Sequence, residues 1–374
     1  MKQKLLLALF ALLTAPTVWA EVEINETNFP DENFRNWVLR QSYGQDGVLT
    51  NEEISGVTSI IAPNNRSILS LKGIEYFTAL TTLHCELNQL TALDLSKNTA
   101  LTSLYCYCNQ LTTLDLSNNT ALEHLECWEN QLISINVSKN TALTYMACSR
   151  NQLTSLDISK NITLTSLSCN YNQLNSLDVS NNIMLTTLAC QENQLTTLDV
   201  SKNSALKSLV CRHNLLTSIN VSGCTALNSL RCSENKLSGL DVSGCPVLDD
   251  LICMSNQIKG VAMDALVESL PTVNKGHLGV INHYKNGQNE QDEQNLMTKL
   301  QVADAKAKGW YVQYNDSNNQ WKNYEGSDDA TGISATLNDN GEMTNDSRYD
   351  LSGRKLPDKP AQGIYIEDGK KKMK

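Results

Sequence analysis

The stretch LTSLYCYCNQLTTLDLSNNTA, residues 101–121, recurs along this chain with a period of 21 residues. The copies begin at Leu80, Leu101, Leu122, Leu143, Leu164, Leu185, Leu206 and Leu227, and a degenerate ninth copy begins at Leu248. Each copy contains two units of the form LxxLxΦxxN, in which residues four and six alternate as the inward side chains of a β-strand do. One such coil cannot bury its apolar columns alone, so the repeat predicts a solenoid whose stacked coils cover one another.

Two asparagine columns run through the repeat, whose positions are counted from its first leucine. Asn occupies position nine of all nine copies, from Asn88 to Asn256. Backbone groups lose their sheet partners where the chain turns, so this column predicts a ladder of buried amides. A second column at position nineteen changes from Asn to Cys224 and Cys245. The strands of both units are expected to pair with the next coil, about 4.8 Å away, in parallel sheets.

These motifs resemble the leucine-rich repeat family, in particular its nested 21-residue bacterial subtype, over about residues 66–270. The third leucine of the first half is replaced by Cys in every copy. The resemblance implies a right-handed coil with parallel sheets, in an α/β solenoid dominated by β-structure. The predicted segments are a signal peptide (1–20), a helical N-terminal cap (21–79), the solenoid (80–268), a β-α-β C-terminal cap (269–324), a linker (325–332) and a short β-module (333–374).

The first 20 residues have the pattern of a signal peptide. Lys2 and Lys4 precede nine apolar residues and the small-x-small cleavage pattern Val18-Trp19-Ala20. A membrane-spanning helix needs about 20 apolar residues, so this segment is not expected to be an anchor. The sequence therefore predicts an exported protein that is not inserted in a membrane.

The N-terminal cap is expected to begin with a short helix after Pro30. Residues 42–53 then look like an EF-hand loop that has lost most of its ligands. Calcium requires several oxygen ligands, and Asp46 and Glu53 are the carboxylates at ligand positions of this loop. We expect helix–loop–helix geometry without tight calcium binding.

The C-terminal cap is expected to extend the parallel sheet through a β-α-β order and to seal the far end of the solenoid. Its predicted elements are a helix over 261–270, a strand over 279–281, a helix over 292–308 and a strand over 310–314. The cap is similar to those of leucine-rich repeat proteins from Bacteroidetes bacteria. The terminal module predicts hairpins with turns at Ser352-Gly353 and Asp368-Gly369. It resembles the sorting domain of type IX secretion substrates, which implies attachment to the outer-membrane surface; a structural tail is the alternative.

Nine of the twelve cysteines occupy one inward column, from Cys85 to Cys253. Their side chains would run parallel, which opposes the dihedral angle of a disulfide, so buried thiols are predicted. A disulfide or metal ladder is the alternative. Cys224 and Cys245 could form one disulfide or hydrogen-bond to turn carbonyls as thiols. Cys108 is expected to face solvent.

Composition and motifs exclude several classes of function. The net charge of −10 disfavours nucleic acid and anionic membranes as partners. The five histidines form no HExxH motif, and neither a nucleophile elbow nor a phosphate loop is present. The recurring Asp column, which includes Asp157 and Asp178, is expected to be structural. We therefore predict a monomeric, non-enzymatic protein without a cofactor or a metal.

The variable positions of the repeat indicate where a ligand would bind. Positions three, five, seven and eight of the first unit hold every Tyr and Trp of the eight full copies, and clustered aromatic residues are favoured in recognition surfaces. Tyr105, Tyr107, Trp128 and Tyr145 are expected to form a contiguous patch with a polar rim. The candidate ligand-binding residues are His84, Tyr105, Tyr107, His124, Glu126, Trp128, Tyr145, Arg150 and Tyr171, with Glu126, Glu129 and Arg150 as the rim.

The predicted function is adhesion or interaction at the cell surface, through a protein ligand on a host or neighbouring cell. A glycan-binding module is the first alternative, because Trp128 and the tyrosines could serve as stacking platforms for sugars. A purely structural surface protein is the second alternative.

Overall fold

The computed structural model describes residues 21–65, 67–283 and 293–328, and four short strands between residues 348 and 373. The predicted signal peptide lies outside the described residues, as do the second half of the linker and the turns at Ser352-Gly353 and Asp368-Gly369.

The N-terminal cap contains two helices joined by a loop. Its elements are β1 (Val22–Glu23), α1 (Glu32–Leu39), β2 (Val48–Leu49), α2 (Asn51–Gly56) and β3 (Ser59–Ile61), followed by a 3-10 turn at Ile74–Tyr76. Asp31 caps α1, and Thr50 and Glu53 form a capping box at the start of α2. Asp46 accepts the Val48 N–H at 3.1 Å. Both carboxylates of the EF-hand-like loop therefore serve a turn and a helix cap.

One strand from the first half of each coil joins a long parallel sheet. The strands are β4 (Thr82–His84), β5 (Ser103–Tyr105), β6 (His124–Glu126), β7 (Tyr145–Ala147), β8 (Ser166–Ser168), β9 (Thr187–Ala189), β11 (Ser208–Val210), β13 (Ser229–Arg231) and β14 (Asp250–Ile252). Each residue pairs with its equivalent one repeat away, as Leu104 does with Leu125. The apolar columns beneath the sheet are buried, which confirms the predicted solenoid.

The second half of each coil was expected to form a strand throughout, and this prediction is wrong. The described second halves contain a regular pair only at β10 (Thr197–Asp199) and β12 (Ser218–Asn220). The recurring Asp of this half closes a turn, because the Asp157 carboxylate accepts the Ser159 N–H at 2.9 Å. The other Asp residues of the column make the same contact, which accounts for their recurrence.

The Asn column at position nine forms the predicted ladder. The Asn109 amide donates to the carbonyls of Cys85 and Cys106 at 3.0 and 3.1 Å, and its oxygen accepts the Leu90 N–H at 3.0 Å. The amide thus joins two consecutive coils, and equivalent bonds are made from Asn88 to Asn256.

All twelve cysteines are thiols, and the nine of the inward column are fully buried. Cys224 donates its S–H to the Val200 carbonyl at 3.1 Å, and Cys245 donates to the Val221 carbonyl at 3.5 Å. These two thiols replace the Asn amides of the second column. Cys108 is half-buried rather than fully solvent-facing, and its Sγ lies 2.8 Å from Glu129 Oε2.

The C-terminal cap continues the sheet. Its elements are α3 (Val261–Ser269), β15 (Gly276–Asn282), α4 (Lys299–Ala307), β16 (Trp310–Asn315) and β17 (Trp321–Asn323), and β17 pairs antiparallel with β16 at the edge. The helix predicted over 292–308 begins only at Lys299, after the Thr298 cap. Asn295 explains the difference, because its amide bonds to Cys253 and Val280 and adds another step to the Asn ladder.

Four terminal strands form an antiparallel sheet of order β19-β18-β20-β21. They are β18 (Arg348–Tyr349), β19 (Lys355–Leu356), β20 (Ile364–Glu367) and β21 (Lys370–Met373). Over the residues that the structure describes, no helix has the length and apolar character required to cross a bilayer.

Candidate ligand-binding face

The solvent side of the main sheet is formed by repeat positions three, five, seven and eight, and we call it the strand face. Position eight has a left-handed backbone in all nine coils, with φ between 52° and 56°. The residues concerned are Leu87, Cys108, Glu129, Arg150, Tyr171, Glu192, His213, Glu234 and Ser255. Each of these residues bears strain of about 1 kcal/mol, and the buried Asn that follows it holds this conformation.

Four rings on the strand face form one continuous stack across β4 to β7. His84 and Tyr105 are parallel, with centroids 4.1 Å apart and an angle of 6°. Tyr105 and His124 lie 4.9 Å apart at 35°, and His124 and Tyr145 lie 4.4 Å apart at 4°. Both faces of Tyr105 and of His124 are therefore covered by neighbouring rings of the chain itself.

A second, separate pair of rings runs alongside the stack. Tyr107 and Trp128 are parallel, with centroids 4.2 Å apart and an angle of 8°. Glu126 joins the pair to the stack, because it accepts the Trp128 indole N–H at 3.0 Å and its other oxygen lies 3.0 Å from His124 Nε2. Glu126 was expected at the polar rim, but it lies between the two aromatic groups.

Glu86 also belongs to the strand face, although it is not among the candidate residues predicted from the sequence. One of its oxygens lies 3.3 Å from His84 Nδ1, and its other oxygen is buried without a hydrogen-bond partner. Its side chain is only 12% exposed. Glu86 occupies position seven, as do Tyr107 and Trp128, and this shared column is the sequence signal that could have identified it.

The remaining predicted residues form a ladder along position eight. Glu129 contacts Arg150 at 3.8 Å, and the Arg150 guanidinium lies 4.4 Å from the centre of the Tyr171 ring. Glu129 and Arg150 are exposed, as expected of rim residues. Tyr171 stacks with this arginine and makes no ring contact with the four-ring stack in the described residues.

Burial and negative charge perturb the phenols. Desolvation raises the pKa of Tyr105, Tyr107 and Tyr145 above the ordinary value, and the nearby Glu126 raises it further. The three phenols are therefore neutral at physiological pH and can donate hydrogen bonds. Over the described part of the chain, no group of three or more His, Cys, Asp or Glu is placed to hold a metal ion.

A polar cluster lies at the other end of the strand face. Asp250 contacts His277 Nδ1 at 3.0 Å and accepts bonds from Ser229 and Arg231 at 2.8 and 3.2 Å. The His277 contact, opposed by burial and reinforced by Ser229 and Arg231, lowers the pKa of Asp250 to about 2. Trp321 packs edge-on against His277, with centroids 4.8 Å apart. Asp250 finds its partners within the chain, whereas His277 Nε2 is buried without a hydrogen-bond partner among the described residues.

The chain is similar to known proteins in sequence and in structure. No family model matches the chain. A segment of 91 residues is 39% identical to internalin J of Listeria monocytogenes. That segment is 23% of this chain and only 10% of the full-length relative. The solved structure of internalin F from the same organism has a TM-score of 0.58 and 23% identity, covers 79% of this chain and 92% of its own, and shows the fold alone.

The structure described as the functional domain of InlJ from Listeria monocytogenes, which includes a cysteine ladder, gives a TM-score of 0.64 at 31% identity. The match covers 79% of this chain and 68% of that domain. This chain carries its own column of nine buried cysteines. The chain belongs to the internalin-like leucine-rich repeat proteins.

Proposed function

We propose that this protein is a non-enzymatic, exported binding protein, and that its ligand is another protein seated on the strand face across β4 to β7. The observation that carries the proposal is the concentration of six aromatic or imidazole rings on the strand face of four consecutive coils. In the five coils that follow, the same positions carry only two rings, those of Tyr171 and His213. Aromatic clusters of this kind supply most of the binding energy in protein interfaces.

The way the rings pack favours a protein ligand over a glycan. A sugar ring stacks on an open aromatic face, whereas Tyr105 and His124 have both faces covered by other rings. Tyr105 and His124 therefore present edges and polar atoms to the ligand, in a rigid array that loses little side-chain entropy on binding. A purely structural role would leave this concentration of partly exposed rings without a purpose.

Export and surface attachment are part of the proposal. The leader pattern at residues 1–20 supports secretion, and the pattern DLSGR…GIYI…GKK near the C-terminus supports type IX sorting to the outer-membrane surface. The four strands β18 to β21 are compatible with a small β-module there.

The test compares two double variants against arrays of extracellular protein domains and of glycans. Tyr107→Ala with Trp128→Ala removes the stacked pair, and we expect at least a tenfold loss of binding to any protein hit. The control, Asp157→Asn with Asp178→Asn, removes two carboxylates from turns in the second half of the coil. Asn keeps the turn there, because Asn136 already makes the same bond to Ser138 at 3.0 Å.

Two results would contradict the proposal. One is a protein hit whose affinity survives the aromatic variant and is lost in the control variant. The other is binding to glycans alone, which would favour the glycan-binding alternative. Thermal unfolding of both variants checks that the solenoid is intact.

A further inference from the structure

Charge is unevenly distributed along the strand face. The first nine positions of the three coils beginning at Leu80, Leu101 and Leu122 contain four carboxylates and neither Lys nor Arg. The same positions of the following six coils contain four carboxylates and four Lys or Arg residues. The part of the strand face that carries the stacked rings is therefore acidic, while the rest is balanced.

Ion pairs increase this difference in charge between the two parts of the strand face. Farther along the sheet, Glu192 pairs with Arg212 at 3.5 Å and Asp250 pairs with Arg231 at 3.2 Å. Among the described residues, Glu86 and Glu126 contact only imidazoles and one indole N–H, with no Lys or Arg in the ion pairs. One Glu86 oxygen accepts no hydrogen bond at all. These two carboxylates have acceptor capacity that the chain itself leaves unused.

The chain also shows how its strand face holds a guanidinium. Arg150 has the Tyr171 ring at 4.4 Å on one side and the Glu129 carboxylate at 3.8 Å on the other. Arginine suits such a place, because its planar cation stacks on a ring while its N–H groups bond to a carboxylate. Tyr107 and Trp128, with Glu86 and Glu126 beside them, offer the same combination without an arginine of their own.

We propose that the protein ligand presents a basic segment, with arginine side chains seated beside Tyr107 and Trp128 and bonded to Glu86 and Glu126. This inference rests on the proposed function and specifies the chemistry of the partner. Arginines from the partner would supply the cationic charge that this end of the strand face lacks. A bond from an arginine guanidinium to a partly buried carboxylate is also among the stronger polar contacts available to an interface.

The probe is a 12-residue peptide of alternating arginine and serine, displayed on a sensor surface and compared with the same peptide carrying neutral citrulline. We expect the arginine peptide to bind at least tenfold more tightly than the citrulline peptide. Glu86→Gln with Glu126→Gln should weaken this binding at least tenfold and reduce its salt dependence. The control Asp157→Asn with Asp178→Asn removes the same charge elsewhere and should leave binding within twofold.

Each other outcome overturns the inference. If both pairs of variants weaken binding of the arginine peptide equally, the attraction is a nonspecific one to an acidic protein. If the citrulline peptide binds as tightly as the arginine peptide, the positive charge of the peptide does not contribute to binding. If the aromatic double variant loses the protein ligand while Glu86→Gln with Glu126→Gln retains it, the proposed function stands and the basic partner is wrong. If neither variant affects the protein ligand, both proposals fail.

Discussion

The His84 imidazole and the Tyr105 phenol lie parallel, with centroids 4.1 Å apart, because the two residues are direct partners in the register of β4 and β5. The 21-residue period places side chains of equal repeat position above one another. Aromatic residues at the same position of consecutive coils therefore stack. The stack continues diagonally to His124, which occupies position three rather than five. A periodic backbone thus turns single substitutions into an extended, rigid surface.

The thiols of the buried cysteine column should not react with thiol reagents in the native protein. Burial raises the pKa of Cys148, Cys190 and Cys232 to about 12 and shields their sulfurs from reagents. We expect Ellman's reagent at pH 8 to modify one thiol of the native protein, at Cys108, and twelve thiols after unfolding without a reductant. The variant Cys108→Ser should abolish the native reaction. Fewer than twelve thiols after anaerobic unfolding would show that part of the column is oxidised.

Asp250 should make stability depend on pH in the acid range. Its folded pKa of about 2 lies below the unfolded value of 3.8, so its contribution is present above pH 4 and is lost as the pH falls toward 2. Asp250→Asn should lower the free energy of unfolding by about 1 kcal/mol at pH 7, because solvent screens this half-exposed carboxylate, and by a smaller amount at pH 2. Urea unfolding at both pH values measures the difference, with the exposed Asp249→Asn as control. An equal loss at both pH values would contradict this assignment.

Gly223 is required by the close approach of two coils. A Cβ atom there would lie 1.9 Å from the Ser201 carbonyl oxygen, in the coils where Cys224 has replaced the longer Asn. We expect Gly223→Ala to destabilise the protein by about 3 kcal/mol. Lys202→Ala, at the same repeat position one coil earlier and exposed, should have little effect in the same denaturant titration. Similar stability of the two variants would disprove the close approach.

The Asn ladder should dominate the stability of the turns. Asn130→Ala would leave the Leu111 N–H without its partner. It would also remove one of the two Asn amide donors from each of the Cys106 and Cys127 carbonyls, which keep Asn109 and Asn151. We expect a loss of about 3 kcal/mol in the free energy of unfolding, because buried unpaired polar groups are costly. The exposed Asn118→Ala is the matched control and should be nearly neutral. A neutral Asn130→Ala would mean that the amide bonds are replaceable.

The features that the 21-residue period itself determines could be predicted from the sequence. The coil, the inward Cys column and the amide ladder each follow from one residue type recurring at one position. The left-handed backbone at position eight could not be predicted from the sequence, because residues as different as Leu87, Arg150 and Ser255 occupy this position and none of its residues is glycine. That conformation is imposed by the buried Asn that follows.

Long-range contacts account for the remaining differences. The start of α4 was misplaced because Asn295 bonds to Cys253, 42 residues away, which no local propensity reports. In the candidate site, the variable columns identified the rings, but their division into a stack of four and a pair depends on side-chain direction. The central position of Glu126 depends on the same three-dimensional packing, whereas Glu86 shares position seven with Tyr107 and Trp128 and is identifiable from that column.

The most direct test of the central claim, that the strand face across β4 to β7 holds the ligand, is hydroxyl-radical footprinting of the complex, read by mass spectrometry. The method oxidises Tyr, Trp and His, which are the residues of this surface. Bound protein ligand should protect Tyr107, Trp128 and His124, while Tyr311 and Trp321, which are 52% and 39% exposed at the C-terminal cap, should be oxidised as in the free protein. Protection of Tyr311 and Trp321 with unchanged oxidation at Trp128 would contradict the account.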